Sequence, residues 1–228
     1  MPPPRTIAID GPAGSGKSVI GLWLARQLGY AYLDTGALYR AIALLALREG
    51  VSIDDGHALA RLVERHHVEV VPPRPADEAR GYTLEIDGEP VTEQLFTPTV
   101  NDLVSPVAAH PEVRAAVLPL QRRIAANGQV VMVGRDIGTV VMPDAELKLY
   151  LDASVDERAR RRWAEERERG RERPFEEVLA DVRQRDHIDS TRATAPLKTA
   201  PDAVVLNTEG FALDETKRRV MSWVTSAV

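Results

Sequence analysis

Four clusters in this chain have residue types and spacing suited to chemistry on phosphates. The first, Gly11-Pro12-Ala13-Gly14-Ser15-Gly16-Lys17-Ser18, fits Gly-x4-Gly-Lys-[Ser/Thr] at all four fixed positions. Glycines let such a loop curl tightly, because they reach positive φ at little steric cost. Successive N–H groups then converge on phosphate oxygens, backed by the positive end of a helix dipole. In a loop of this kind Lys17 reaches the β and γ phosphates, and the Ser18 hydroxyl takes a place on Mg2+. The second cluster is Asp34-Thr35-Gly36-Ala37-Leu38-Tyr39-Arg40. Thr35 offers a hydroxyl, and Arg40 a guanidinium shaped to grip a phosphate through two hydrogen bonds. Helix capping accounts for Asp34 or Thr35, but not for Arg40. The third is Gly134-Arg135-Asp136-Ile137-Gly138. Arg135 beside Asp136 can be a structural pair, but two glycines at a strand end favour a ligand role. In the fourth, Arg185, Asp189 and Arg192 share one helix face. They can pair among themselves on a surface, or project into a cleft and hold a sugar and a phosphate; spacing does not choose between these.

These clusters need elements to hold them. Thr6 to Asp10 reads as a strand entering the first loop, and Lys17 to about Gly29 as the helix leaving it. A short apolar run at Tyr30 to Leu33 leads to the second cluster, followed by a helix from about Ala37 to Arg48 and another from His57 to His66. Val68-Glu69-Val70-Val71 and Tyr82 to Ile86 alternate, and Asp87-Gly88 is a hairpin signal. Val68 to Leu95 therefore reads as a small antiparallel sheet inserted between helices. Helical pattern returns from about Asn101 to Ala126, broken by Pro106, Pro111 and Pro119. Strands follow at Gln129 to Val133, Leu147 to Leu151 and Val204 to Asn207, and a closing helix carries Val220 and Val224. Alternating strands and helices predict an α/β chain with a parallel sheet flanked by helices.

Val155 to Arg192 holds 11 arginines and 11 acidic residues, so its charge is balanced. Glu157/Arg161 and Glu165/Arg169 sit at i, i+4 with the acid first, the favourable order. This stretch is either a solvated helix pair or a mobile lid whose arginines close over a phosphate. Gly170 and Pro174 separate its two helices, as a lid tip needs.

Bulk properties bound the answer. With 228 residues the chain can bury a sizeable core, and 44% hydrophobic with 28% charged residues is ordinary for a soluble protein. A net charge of −5 and the balanced arginine tract argue against a nucleic-acid partner. The absence of cysteine excludes disulfides and thiolate metal sites. No signal-like or 18-residue apolar stretch stands out, which predicts no membrane partner and a cytoplasmic location. No guanine-reading Asn-Lys-x-Asp segment is present, which removes a GTP-binding switch.

Taken together, these residues resemble bacterial cytidylate kinases. The likeness runs from Ile7 to about Leu206 and includes Ser105 to Arg114, Thr139, and Asp189-Ser190-Thr191-Arg192 through Ala195-Pro196-Leu197. The inserted sheet separates the chain from shorter nucleoside monophosphate kinases. The resemblance implies a phosphate-loop kinase fold with a helical lid, and transfer of the ATP γ-phosphoryl group to CMP or dCMP with Mg2+. It divides one kinase chain into a core at about 1–50, 101–153 and 193–228, an acceptor-binding insertion at about 51–100, and a lid at about 154–192. By carry-over, Ser105, Arg114 and Asp136 read cytosine. Arg40, Arg135 and Arg192 hold the acceptor phosphate with Thr35 nearby, and Arg185 and Asp189 contact the pentose. Lys17, Arg135, Arg192 and the lid residues Arg161 and Arg162 (or Arg158) serve the transferring group, Thr199 to Ala203 border the adenine, and the enzyme acts as a monomer. Two positions depart from the family: Val133 stands where an aspartate is usual, and Val19 follows Ser18 where Gly-Thr often follows the lysine. The first implies altered Mg2+ or pentose dependence; the second leaves the Ser18 hydroxyl in place for metal.

Overall fold

Short apolar runs rich in Val, Ile and Leu build the central layer. The computed structural model describes residues 2–226. In chain order the elements begin with β1 (Thr6–Asp10), α1 (Lys17–Leu28), β2 (Ala31–Asp34), α2 (Gly36–Glu49) and α3 (Gly56–Arg65). An insertion supplies β3 (Val68–Val71), β4 (Thr83–Ile86) and β5 (Glu89–Pro90). Then come α4 (Pro98–Ala109), α5 (Pro111–Ala125), β6 (Val130–Gly134), β7 (Leu147–Asp152), α6 (Val155–Glu168), α7 (Phe175–Thr191), β8 (Val204–Asn207) and α8 (Leu213–Ser226).

Five strands form one parallel sheet in the order β2-β6-β1-β7-β8. Ile7, Ile9, Leu33, Met132 and Val133 are wholly buried in it, as strands covered on both faces require. Parallel strands place their carboxyl ends on one edge. The loops after β1, β2 and β6 therefore meet at that edge, where open α/β sheets bind ligands. The second sheet, β3-β4-β5, is antiparallel, and Asp87 and Gly88 turn its hairpin with φ of 53° and 82°.

Most element boundaries lie within two residues of those read from the sequence. The stretch 101–126 differs: it is two helices, divided at His110 rather than at each proline. Pro98 and Pro111 open the helices, where their fixed φ is suited. Pro106 and Pro119 lie inside them, and burial of Val104, Val107, Val113 and Val117 outweighs the hydrogen bond each removes. The connection at 72–81 also carries more order than expected, holding a 3-10 turn at Pro75–Arg80. Gly81 ends this turn at φ 80°, and a Cβ there would lie 2.3 Å from Leu22 Cδ1. That glycine lets the insertion dock against α1, beside the phosphate loop. On the far side, His66 bridges Asp87 of the hairpin and Glu49 at the end of α2.

Candidate active site

One cavity of about 580 Å3 spans the sheet edge, the insertion and the α6/α7 pair. From the phosphate loop, Ala13, Gly14, Gly16, Lys17 and Ser18 line it. Gly14 and Gly16 take positive φ, which turns the loop, and Gly11 must lack a Cβ because Leu151 O would lie 2.1 Å from one. Gly11, Pro12 and Ser15 shape the loop from behind instead of lining the cavity. Lys17 Nζ donates to Pro12 O at 2.9 Å. Burial, and then the nearby Arg135, push the Lys17 ammonium well below the usual lysine range. Arg158 Nη1 donates to Ala13 O at 3.0 Å, so α6 holds the loop, and Thr208 Oγ1, just past β8, lies 3.4 Å from Ser15 O.

Beyond the loop lies a field of guanidinium groups. Arg40, Arg135, Arg162, Arg185 and Arg192 all line the cavity. Arg135 Nε donates to Asp189 Oδ2 at 2.7 Å; burial lowers Arg135, but Asp189, with Asp34 and Asp186, holds it above the usual range. Arg185 has no such rescue. Burial, then Arg135 and Arg40, lower it to about 9, and its Nε is buried without a hydrogen-bond partner. A half-buried cation surrounded by cations calls for an anion, and phosphate oxygens supply one. Arg40 Nε donates to Asn101 Oδ1 at 3.1 Å, and its guanidinium lies 5.0 Å from the Phe96 ring centre.

The far wall is an ion-pair network. Arg114 Nη2 donates to Asp136 Oδ2, and both side chains are about 95% buried. Asp136 Oδ1 lies 3.7 Å from Arg192 Nη2, and Asp189 Oδ1 3.8 Å from Arg192 Nη1. Ser105 also lines the cavity. Arg135 and Asp136 are thus not a pair with each other; each bonds a residue from another element. Arg185, Asp189 and Arg192 all face the cavity. Thr35 also lies there, buried, but its hydroxyl donates to Val133 O at 3.0 Å, while Asp34 accepts from Gly36 N and supplies the local cap of α2.

The three α6 arginines near the cavity differ in their partners. Arg158 is buried and bonded through two nitrogens to Asp186, outside the cavity. Arg161 faces the cavity but is tied to Glu157, Thr208 Oγ1 and Thr208 O. Arg162 Nε lies 3.2 Å from Glu166 Oε1 without a hydrogen bond's alignment, and it is the α6 guanidinium beside Arg185. Thr199 to Ala203 do not line this cavity.

Sequence reasoning missed Asp10 and the insertion's contribution. Asp10 accepts from Ile137 N and Gly138 N, both at 2.8 Å, and so fixes the loop that presents Arg135 and Asp136. Burial pushes its carboxyl up to about 6, despite those two hydrogen bonds. An acid ending β1 next to Gly11 was the available signal. Arg80, stacked 3.5 Å from the Phe96 centre, and Tyr82 bring insertion residues into the wall, and only tertiary docking announces them.

Ser18 contributes a hydroxyl oxygen next to the phosphate loop, the hard donor that Mg2+ takes. Among the described residues no group of three or more His, Cys, Asp or Glu could hold a metal by itself. That suits an ion delivered with nucleotide phosphates and held by few protein oxygens.

A family model for cytidylate kinase matches residues 7–226. The chain belongs to the cytidylate kinase family. The cytidylate kinase of Carboxydothermus hydrogenoformans is 46% identical over 94% of this chain and 95% of that protein. Those of Desulfitobacterium hafniense and Herpetosiphon aurantiacus are also 46% identical, over 95% and 98% of this chain and 90% and 96% of theirs. Among the described residues of this family member, no helix is long and apolar enough to cross a membrane.

Proposed function

We propose that the chain transfers the γ-phosphoryl group of ATP to CMP and dCMP, giving ADP and CDP or dCDP. The observation that carries this is one cavity lined by a phosphate loop, a cluster of arginines that outnumbers its carboxylates, and a buried Arg114–Asp136 pair. Phosphoryl transfer asks for in-line positioning and neutralised charge more than covalent help. The loop amides and Lys17 hold the donor phosphates. Arg40, Arg135 and Arg192 hold the acceptor phosphate beside Thr35. Arg185 and Arg162 lie between the two and neutralise charge on the moving oxygens. Asp189 orients Arg135 and, with Arg185, borders the pentose. Arg161 braces the lid over the donor. Mg2+, bound with the nucleotide, adds charge neutralisation at the donor phosphates.

Asp136 accepts from the cytosine amino group, with Ser105 and Arg114 completing the base contacts. Uracil would present a carbonyl to a carboxylate that Arg114 keeps in place, an unfavourable encounter. The acceptor is already an ionised phosphate, so no general base is required, and none of the five histidines lines the cavity. The same reading has a monomer acting in the cytoplasm, with no nucleic acid or membrane partner.

ADP release is to be followed with ATP, Mg2+ and each nucleoside monophosphate in turn. CMP and dCMP are expected to turn over fastest. Rates no higher than those with AMP, GMP or UMP would overturn the assignment.

A further inference from the structure

Ser18 and Asp34 come from different elements, the first turn of α1 and the last residue of β2, yet they meet. Ser18 Oγ donates to Asp34 Oδ2 at 2.7 Å, and the other carboxylate oxygen accepts from Gly36 N at 3.0 Å. The carboxylate is therefore held at both oxygens. A serine hydroxyl has one proton and two lone pairs. With the proton directed to Asp34, the lone pairs are left for another partner, and Ser18 lines the nucleotide cavity.

The other carboxylates of that cavity are committed elsewhere. Asp136 bonds Arg114, Asp189 bonds Arg135, and Glu165 and Glu166 face Arg169 and Arg162 on their own helix. The strand position beside Asp34 is Val133 on β6, which is wholly buried and offers no oxygen. Tyr32 Oη donates to Ser18 O, fixing the serine from its backbone side.

We infer that Asp34 is the positioning carboxylate of the nucleotide-bound divalent cation: it orients the Ser18 hydroxyl as a ligand and strengthens its oxygen as a donor. The inference rests on the donor-nucleotide reading of the loop. Outer partners of this kind hold a ligand's orientation and raise its basicity, and losing one weakens metal affinity about tenfold to a hundredfold. Asp34 also caps α2 and faces Arg40, so loss of activity alone would not separate metal positioning from support of the acceptor site.

Mn2+ binding to the ADP complex, read by electron paramagnetic resonance, separates them. Asp34→Asn keeps the shape and a cap acceptor while removing the charge. It is expected to weaken Mn2+ binding about tenfold or more, with metal-free ADP binding unchanged. In a Ser18→Ala background the same substitution should change Mn2+ affinity little further, because Asp34 acts through that hydroxyl. An unchanged Mn2+ affinity in Asp34→Asn overturns the inference, as does a full additive loss in the double variant. If Asp34→Asn does not fold, Asp34→Glu keeps the charge near Arg40 but shifts the oxygens off Ser18, and the same loss is expected. Failure of the unaltered protein to bind ADP would instead count against the donor-nucleotide reading.

Discussion

Arg185 sits among cations, and its position states what the cavity is for. Stability and function should therefore move in opposite directions there. Arg185→Met is expected to stabilise the ligand-free protein by roughly 1–2 kcal/mol, since a poorly solvated charge is replaced by an apolar chain. Turnover with CMP and with dCMP should fall about a hundredfold or more, since charge neutralisation is lost. Urea melts and kcat measurements on both substrates check the two halves. The Arg114–Asp136 pair makes the complementary case. Arg114→Met leaves a buried carboxylate facing only Arg192 at 3.7 Å, and should cost about 3–5 kcal/mol. The double variant Arg114→Met/Asp136→Leu should recover much of that stability in urea while gaining no activity. The residues of both clusters were legible as types at spacings. Their partners were not: Arg135 lies next to Asp136 in the chain and bonds Asp189 instead.

At the scale of elements, α1 and β6 fit together through an exchange of volume. A Cβ at Gly21 would lie 2.4 Å from Val133 Cγ1, so the bare glycine of the helix makes room for the valine of the strand. Gly21→Ala gains about 1 kcal/mol in helix propensity, but overpacking a filled core costs about 1–3 kcal/mol. A net loss is expected by thermal melting, and Gly21→Ala/Val133→Ala should be more stable than the two single losses predict. His66 joins three elements in a different way. Its hydrogen bond to Asp87, then that to Glu49, raises it above 6.5. Stability from the raised imidazole is complete below pH 6.5 and lost as pH rises through the raised value. The same bonds hold Glu49 below 4.5 and Asp87 below 3.8, so their contribution is complete above those values and lost in acid. The clamp is thus whole between about pH 4.5 and 6.5. The urea midpoint should fall from pH 6 to 8.5 in the wild type and flatten in that range in His66→Gln. Neither feature could be read locally, since glycine in a helix and histidine beside a hairpin have many causes.

Across the whole molecule, the sheet edge gathers cations faster than it gathers carboxylates to balance them, although the full chain carries −5. Anions that enter the cavity should therefore stabilise the fold by linkage. Pyrophosphate is expected to raise the melting temperature well above the effect of sodium chloride at equal ionic strength. The difference should shrink in Arg185→Met. Equal shifts from the two salts would mean that screening alone is at work. The α6/α7 pair belongs to this scale too. The Glu157–Arg161 and Glu165–Arg169 pairs form as their spacing predicts. Yet Arg161 is also bonded to Thr208, just past β8, so α6 is fastened across the fold as well as along its own length.

The sequence by itself determined the chemistry and the layer order. A phosphate loop works through contiguous backbone N–H groups, so its function is written in adjacent residues. Strand and helix periods are local in the same way. Tertiary structure decided which charge meets which. Arg114 and Asp136, 22 residues apart, and Arg135 and Asp189, 54 apart, become partners only when the sheet closes and α7 packs over its edge. Thr35 gave its proton to a carbonyl of β6, and Ser18 gave its own to the end of β2. Hydrogen bonds and ion pairs depend on distances of a few ångströms, and packing across the sheet sets those distances. No pattern along the chain encodes them.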